Sequence, residues 1–195
     1  MGGPVCLDFV NTLDDRSSGN PKDLLPTYAD LARFAEDTEI LPHSQLDALL
    51  AESAERKKEA ERALKEAVRM RDAMFEVFWA IVQEQPAPEE ALQVLNGYVQ
   101  GAAQHMKLVP SKGRFEWKFD GSTNDLRALL WPIARSAADL LASDQLQFVR
   151  VCASETCKWL FLDESKNHRR RWCDMTKCGN RAKVRSFYSR QKKEL

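Results

Sequence analysis

The chain has 195 residues, 44% hydrophobic and 30% charged, the composition of an ordinary globular protein with room for one domain or one and a half. No apolar run approaches the roughly 18 residues that a bilayer crossing needs, which excludes a membrane-spanning helix. The formal net charge of zero hides an asymmetry: Arg150 to Leu195 carries 13 Lys+Arg against 5 Asp+Glu, or +8, and the preceding residues hold the other 16 and 24, or −8. A basic module joined to an acidic one points to a polyanion-binding end and a different task for the rest.

Pro4 suits the first turn of a helix, and Cys6, Phe9, Val10 and Leu13 follow at i, i+3, i+4 and i+7, which predicts a first helix with Cys6 as a small core residue. Asp8, Asn11, Thr12 and Asp15 form a polar stripe with the same spacing. Two readings stand for Asp8, Asn11 and Thr12: ligand-binding groups that hold a small effector, or side chains that satisfy buried backbone groups and cap neighbouring helices. Asp14, Asp15 and Arg16 read as the start of a solvated loop. Thr27 with Asp30 resembles a helix cap, opening a short helix with Leu31, Phe34 and Ala35 on its apolar side. Pro42 breaks the chain, and Ser44 is placed to cap the next helix, which carries Leu46, Leu49 and Leu50. The polar stretch from Glu55 to Arg62 reads as a solvated helix face or a loop.

Helical spacing resumes through Ala60, Leu64, Ala67, Met74, Phe78 and Val82, until Pro86 and Pro88 stop it and open another helix ending near Gln104. Met106 to Val109, the turn-like Pro110 to Gly113, and Phe115 to Phe119 predict a β-hairpin. A last front helix has Leu126, Leu129, Leu130, Ile133, Ala137, Leu140 and Leu141 on one side, with a kink expected at Pro132. His43 and His105 have no companion residues that suggest catalysis.

Four of the five cysteines follow the pattern Cys152-x4-Cys157-x15-Cys173-x4-Cys178. Two close pairs of thiolates suit tetrahedral zinc, because each pair sits on one turn and the intervening chain brings the pairs together. The competing pattern, two disulfides, needs an oxidising compartment, and Met1 to Pro4 lacks a basic segment leading into an apolar one. One Zn2+ per chain is therefore expected. The front, residues 1–148, is long enough for its own core; residues 149–195 are not and need the metal as a staple.

Short β-prone runs, Phe148 to Cys152 and Lys158 to Leu162, place the first cysteine pair at a hairpin turn, and Asn180 opens a helix expected to reach Arg190. That is a treble-clef-like or zinc-ribbon-like arrangement, and the fold class is α+β, mainly α. Val184, Phe187 and Tyr188 can pack on the knuckle, while Arg181, Lys183, Arg185, Arg190, Lys192 and Lys193 stay outside. Arg169, Arg170 and Arg171 add a second basic cluster before Trp172. Such a surface either contacts a phosphate backbone or docks on an acidic partner. Trp159 and Trp172 can stack on bases or form the knuckle's small core, and His168 is either an exposed loop histidine or a substitute ligand or phosphate donor.

The run Phe161-Leu162-Asp163, Ser165, Asn167, Arg170-Arg171-Trp172-Cys173 and Cys178-Gly179-Asn180-Arg181 resembles the CGNR zinc finger, and Leu7-Asp8-Phe9-Val10-Asn11-Thr12 resembles the opening motif of the ABATE domain. The resemblance covers essentially the whole chain. It implies a cytoplasmic bacterial regulator of stress-related transcription, with an α-rich front domain and a DNA-binding finger. Arg169, Arg170, Arg171, Asn180, Arg181, Lys183 and Arg185 are the expected nucleic-acid contacts. The expected partners are DNA, a small effector and a second copy of the chain; a membrane is not among them. A zinc-stapled adaptor without specific nucleic-acid binding is the competing reading. No metalloprotease, nucleophile-elbow, phosphate-loop, dinucleotide or deaminase signature occurs, and four thiolates leave zinc no open position for water, so no enzymatic activity is expected.

Overall fold

Prolines stand directly before three of the six α-helices among the described residues. In the computed structural model, which describes residues 3–120 and 124–184, α1 (Val5–Val10) begins directly after Pro4 and buries Cys6, Leu7, Phe9 and Val10. It is shorter than its periodicity suggests. The Thr12 hydroxyl donates to the Phe9 carbonyl at 2.6 Å, the chain leaves the helix, and Leu13 enters β1 (Leu13–Asp14), paired antiparallel with β2 (Lys22–Asp23). α2 (Tyr28–Asp37) is opened by Thr27, which accepts the Asp30 amide and donates its hydroxyl to the Asp30 carboxylate at 2.6 Å. α3 (His43–Glu55) starts immediately after Pro42, so Ser44 lies inside the first turn and caps nothing.

The polar stretch after Glu55 turns out to be the exposed start of α4 (Lys57–Val82), a helix of 26 residues and about 39 Å. Its inner stripe of Ala60, Ala63, Ala67, Met70, Met74 and Phe78 is buried, and the small residues let α1, α2 and α3 approach its axis. α5 (Glu89–Gln104) follows Pro88 and packs back on α4. β3 (Met106–Ser111) and β4 (Arg114–Phe119) form the expected hairpin, whose two-residue turn places both Lys112 (φ 44) and Gly113 (φ 82) in the left-handed region. A 3-10 turn over Leu126–Leu129 leads into α6 (Leu130–Leu141). Pro132 therefore occupies the first turn of α6, where a missing N–H leaves no partner unsatisfied, and the change of helix type at Leu130 replaces the expected kink.

α1 lies against α4, α6 and the last hairpin of the chain, which puts its short length at the centre of the molecule. That hairpin is β5 (Val149–Val151) paired with β6 (Leu160–Leu162). Strand alternation divides its residues between two clusters. Val149, Leu160 and Leu162 belong to the main core with Phe9, Leu31 and Phe78, while Phe161 turns to the cysteines. The principal core thus continues past position 149. None of the described helices is long and apolar enough to cross a membrane.

Candidate metal centre and its basic surroundings

The first cysteine pair is positioned by the β5–β6 hairpin. The Cys152 amide donates to the Trp159 carbonyl at 2.8 Å, extending the ladder by one rung, and Lys158 takes a left-handed φ of 56° that brings Cys157 back towards Cys152. The Ala153 amide donates to the Arg171 carbonyl at 2.8 Å and ties the two ligand loops together. Of the second pair, Cys173 lies just before and Cys178 on a wide helical turn over Met175–Gly179. Asp174 caps this turn, accepting the Thr176 and Lys177 amides at 2.6 and 3.0 Å. Gly179 beside Cys178 lets the Met175 side chain lie close, since a Cβ there would be 2.9 Å from Met175 Sδ and would push that flexible side chain aside. From Asn180 the chain is helical to Val184.

The four sulfur atoms lie within 4.8 Å of one another, with Cys157 to Cys173 at 3.7 Å and Cys173 to Cys178 at 3.8 Å. Tetrahedral zinc with Zn–S bonds of ~2.3 Å separates its sulfurs by ~3.8 Å, whereas a disulfide holds them at ~2.05 Å. The donor set therefore fits one Zn2+ per chain. Charge agrees with distance. Hydrogen bonds from the Cys157 and Cys173 thiols pull Cys152 down, while those with Cys152 and Cys157, together with burial, push Cys173 up, as expected of thiols crowded round one point. Phe161, Trp159 and Trp172 pack round the cysteines, which gives both tryptophans a place in the small core of the knuckle.

Asp163 organises the loop between the pairs. It is fully buried, and although burial raises its pKa, bonds from the Ser165 hydroxyl and from the Ser165 and Arg170 amides (2.6, 3.0 and 2.8 Å) hold it below the usual carboxylate range. His168 stands outside the cysteine cluster: its Nδ1–H donates to the Asp163 carbonyl at 2.7 Å and its ring stacks on Phe148 at 3.9 Å. Sequence reasoning did not assign Asp163 this role.

The basic residues divide. The Arg170 guanidinium donates to the Trp172 and Cys173 carbonyls and lies over the Phe161 ring, holding the finger's own backbone. Arg171 lies over Trp172 at 5.1 Å, and Arg169, Arg171, Arg181 and Lys183 are exposed. Asn180 donates its amide to the Thr176 carbonyl at 3.0 Å. Val184 is exposed and does not pack on the knuckle. Arg185, Phe187, Tyr188, Arg190, Lys192 and Lys193 lie outside the described residues.

At the front, the Asn11 carboxamide donates to the Leu160 carbonyl at 2.8 Å and accepts the Leu160 amide at 2.9 Å, so it continues the β5–β6 sheet like one residue of a third strand. The Thr12 hydroxyl accepts from Arg71 at 3.3 Å. Arg71 is buried and grips Asp23 with two bonds of 2.7 and 2.8 Å. Arg16 belongs to this network and is not solvated: it donates to the Val10 carbonyl, lies 3.6 Å from Asp72 and stacks on Phe75. Asp8 is half-buried, and burial pushes its pKa up. Asp8, Asn11 and Trp159 all line two neighbouring cavities of about 170 and 210 Å³ at the seam between α1 and the finger.

Comparison with known families accords with this geometry. Residues 3–144 match the ABATE family, described as "Putative stress-induced transcription regulator", and residues 149–191 match the CGNR zinc finger. Neither is a family of enzymes. No curated protein matches the chain. With well over half of its length matched, the chain belongs to the ABATE family and carries a CGNR zinc finger at its C-terminal end.

Proposed function

We propose that this protein is a cytoplasmic transcription regulator that binds DNA through the exposed cations of its zinc finger and senses a small effector at the seam between its two parts. The division among those cations carries the reading. Arg170 is occupied by the finger's backbone, while Arg169, Arg171, Arg181 and Lys183 are exposed in a segment of net charge +8. Four such groups on phosphates release counterions and give a salt slope of about −3.6 in log K against log salt. The zinc is structural in this reading, since four thiolates complete its coordination.

For the effector, Asp8, Asn11 and Trp159 all line the seam cavities. The Trp159 indole N–H itself is buried, with no partner among the described residues. Because Trp159 borders Leu160 and the ligand Cys157, a ligand there acts on the finger if it binds two orientations with different affinity.

Fluorescence anisotropy of the zinc-loaded protein on random duplex DNA across salt concentrations tests the DNA reading. Arg169→Ala and Arg181→Ala should each weaken binding on every sequence and flatten the salt slope by about 1. Arg170→Ala should first lower zinc retention. Absence of binding at low salt sinks the regulator reading and leaves an adaptor whose basic finger docks on an acidic protein.

A further inference from the structure

The β3–β4 hairpin is used by neither the finger nor the seam. Its register pairs Met106 with Phe119, Leu108 with Trp117 and Pro110 with Phe115, so strand alternation puts all six on one face. The other face holds Lys107, Val109, Ser111, Arg114, Glu116 and Lys118. Among the described residues, only the inner end of the apolar face is covered: Phe119 meets Trp131, and Met106 Sδ accepts a bond from Arg135. Beyond that point Leu108 is 54% exposed, Trp117 58% and Phe115 69%. A two-stranded ribbon is marginal in water by itself, and monomers seldom leave such a patch open.

We propose that this face is a homodimer interface, on which the hairpin of a second copy packs its own Leu108, Phe115 and Trp117 about a two-fold axis. The patch is borne by a ribbon rather than set in a groove, and an isologous contact needs the same patch on both partners. Charge favours a second copy over other occupants. Every charged side chain of the two strands lies on the far face, where Lys107 pairs with Asp120 and Arg114 with Glu116. Two copies therefore meet without opposing like charges, whereas an anionic membrane or an acidic protein would leave those cations pointing away from it.

Area agrees. With aromatic side chains of about 200 Å² each, the exposed fractions leave roughly 350 Å² of apolar surface per copy and ~700 Å² in a pair. At the ~65% apolar share of homodimer interfaces this implies a total near 1,100 Å², the lower end of specific association. The result is a reversible dimer, sensitive to concentration. It gives a surface to the second copy of the chain that the family resemblance leads one to expect, and it stands separately from DNA binding because association is measured without DNA.

Sedimentation velocity of the full zinc-loaded chain from about 1 to 200 µM decides the matter. The expected result is a shift from the 22.3 kDa monomer to twice that mass, weakened at least tenfold by Phe115→Ser with Trp117→Ser and unaffected by Lys118→Gln on the far face. Both altered aromatics are exposed, so the fold survives, and zinc content checks this. A wild-type monomer throughout overturns the proposal, as does a dimer that the double variant leaves intact. A monomer that co-sediments with vesicles of phosphatidylcholine and phosphatidylserine overturns it in favour of a lipid surface.

Discussion

Replacing Asn11 tests how the two parts of this chain are joined. In Asn11→Ala the buried amide and carbonyl of Leu160 lose their partners at 2.9 and 2.8 Å, and α1 shields both from bulk water. An orphaned buried backbone group costs ~1–3 kcal/mol, so the pair costs roughly 2–5 kcal/mol before repacking. That is a large share of the ~5–15 kcal/mol by which domains are usually stable. Leu160 lies three residues beyond Cys157, and its side chain sits in the main core, so loosening β6 should also release the metal faster. Asn11→Asp separates the two bonds: one oxygen still accepts the Leu160 amide while the other faces the Leu160 carbonyl in repulsion, and the variant should be no more stable than alanine. Urea unfolding gives the stability, and transfer of zinc to a chromogenic chelator gives the release rate. If Asn11→Ala stays within 0.5 kcal/mol of wild type and releases zinc no faster, the carboxamide is not a structural joint.

Removing zinc with a strong chelator should abolish the near-ultraviolet circular dichroism of Trp159 and Trp172 and also lower the unfolding midpoint of the helical part, because Val149, Leu160 and Leu162 complete its core. An unchanged helical midpoint after metal loss would contradict the shared core. The Arg71–Asp23 pair sets an acid limit on stability. The hydrogen bond from Arg71 outweighs burial and holds the Asp23 pKa below its ordinary value. A depressed folded pKa means that the contribution is complete above about pH 4 and is lost as pH falls through the lowered value. The stability gap between wild type and Asp23→Asn should therefore shrink as pH falls from 6 to 3, with acid effects on the thiolates common to both; a gap independent of pH refutes the assignment.

Patterns that repeat within one element were legible before the fold was known. The apolar stripe of α4, the cap at Thr27, the β3–β4 turn and the cysteine pairs each depend on residues a few positions apart, so local geometry makes them visible. Pairings between elements were not. Arg71 carried no sequence signal that singled it out, and its partner Asp23 is 48 positions away. Asn11 showed a polar stripe, but whether it faced a ligand or a backbone depended on β6, 149 positions later. Asp163 resembled any loop carboxylate until the amides of Ser165 and Arg170 closed on it. The change of charge and β-propensity near residue 149 was visible in the sequence, whereas the burial that Val149, Leu160 and Leu162 share with the front core was not, because composition does not report it. A finger tied to its neighbour by a linker alone would respond only to tethering. This one shares a core and two buried hydrogen bonds with α1, so whatever displaces α1 displaces β6, the strand of the hairpin whose connection holds the first pair of cysteines.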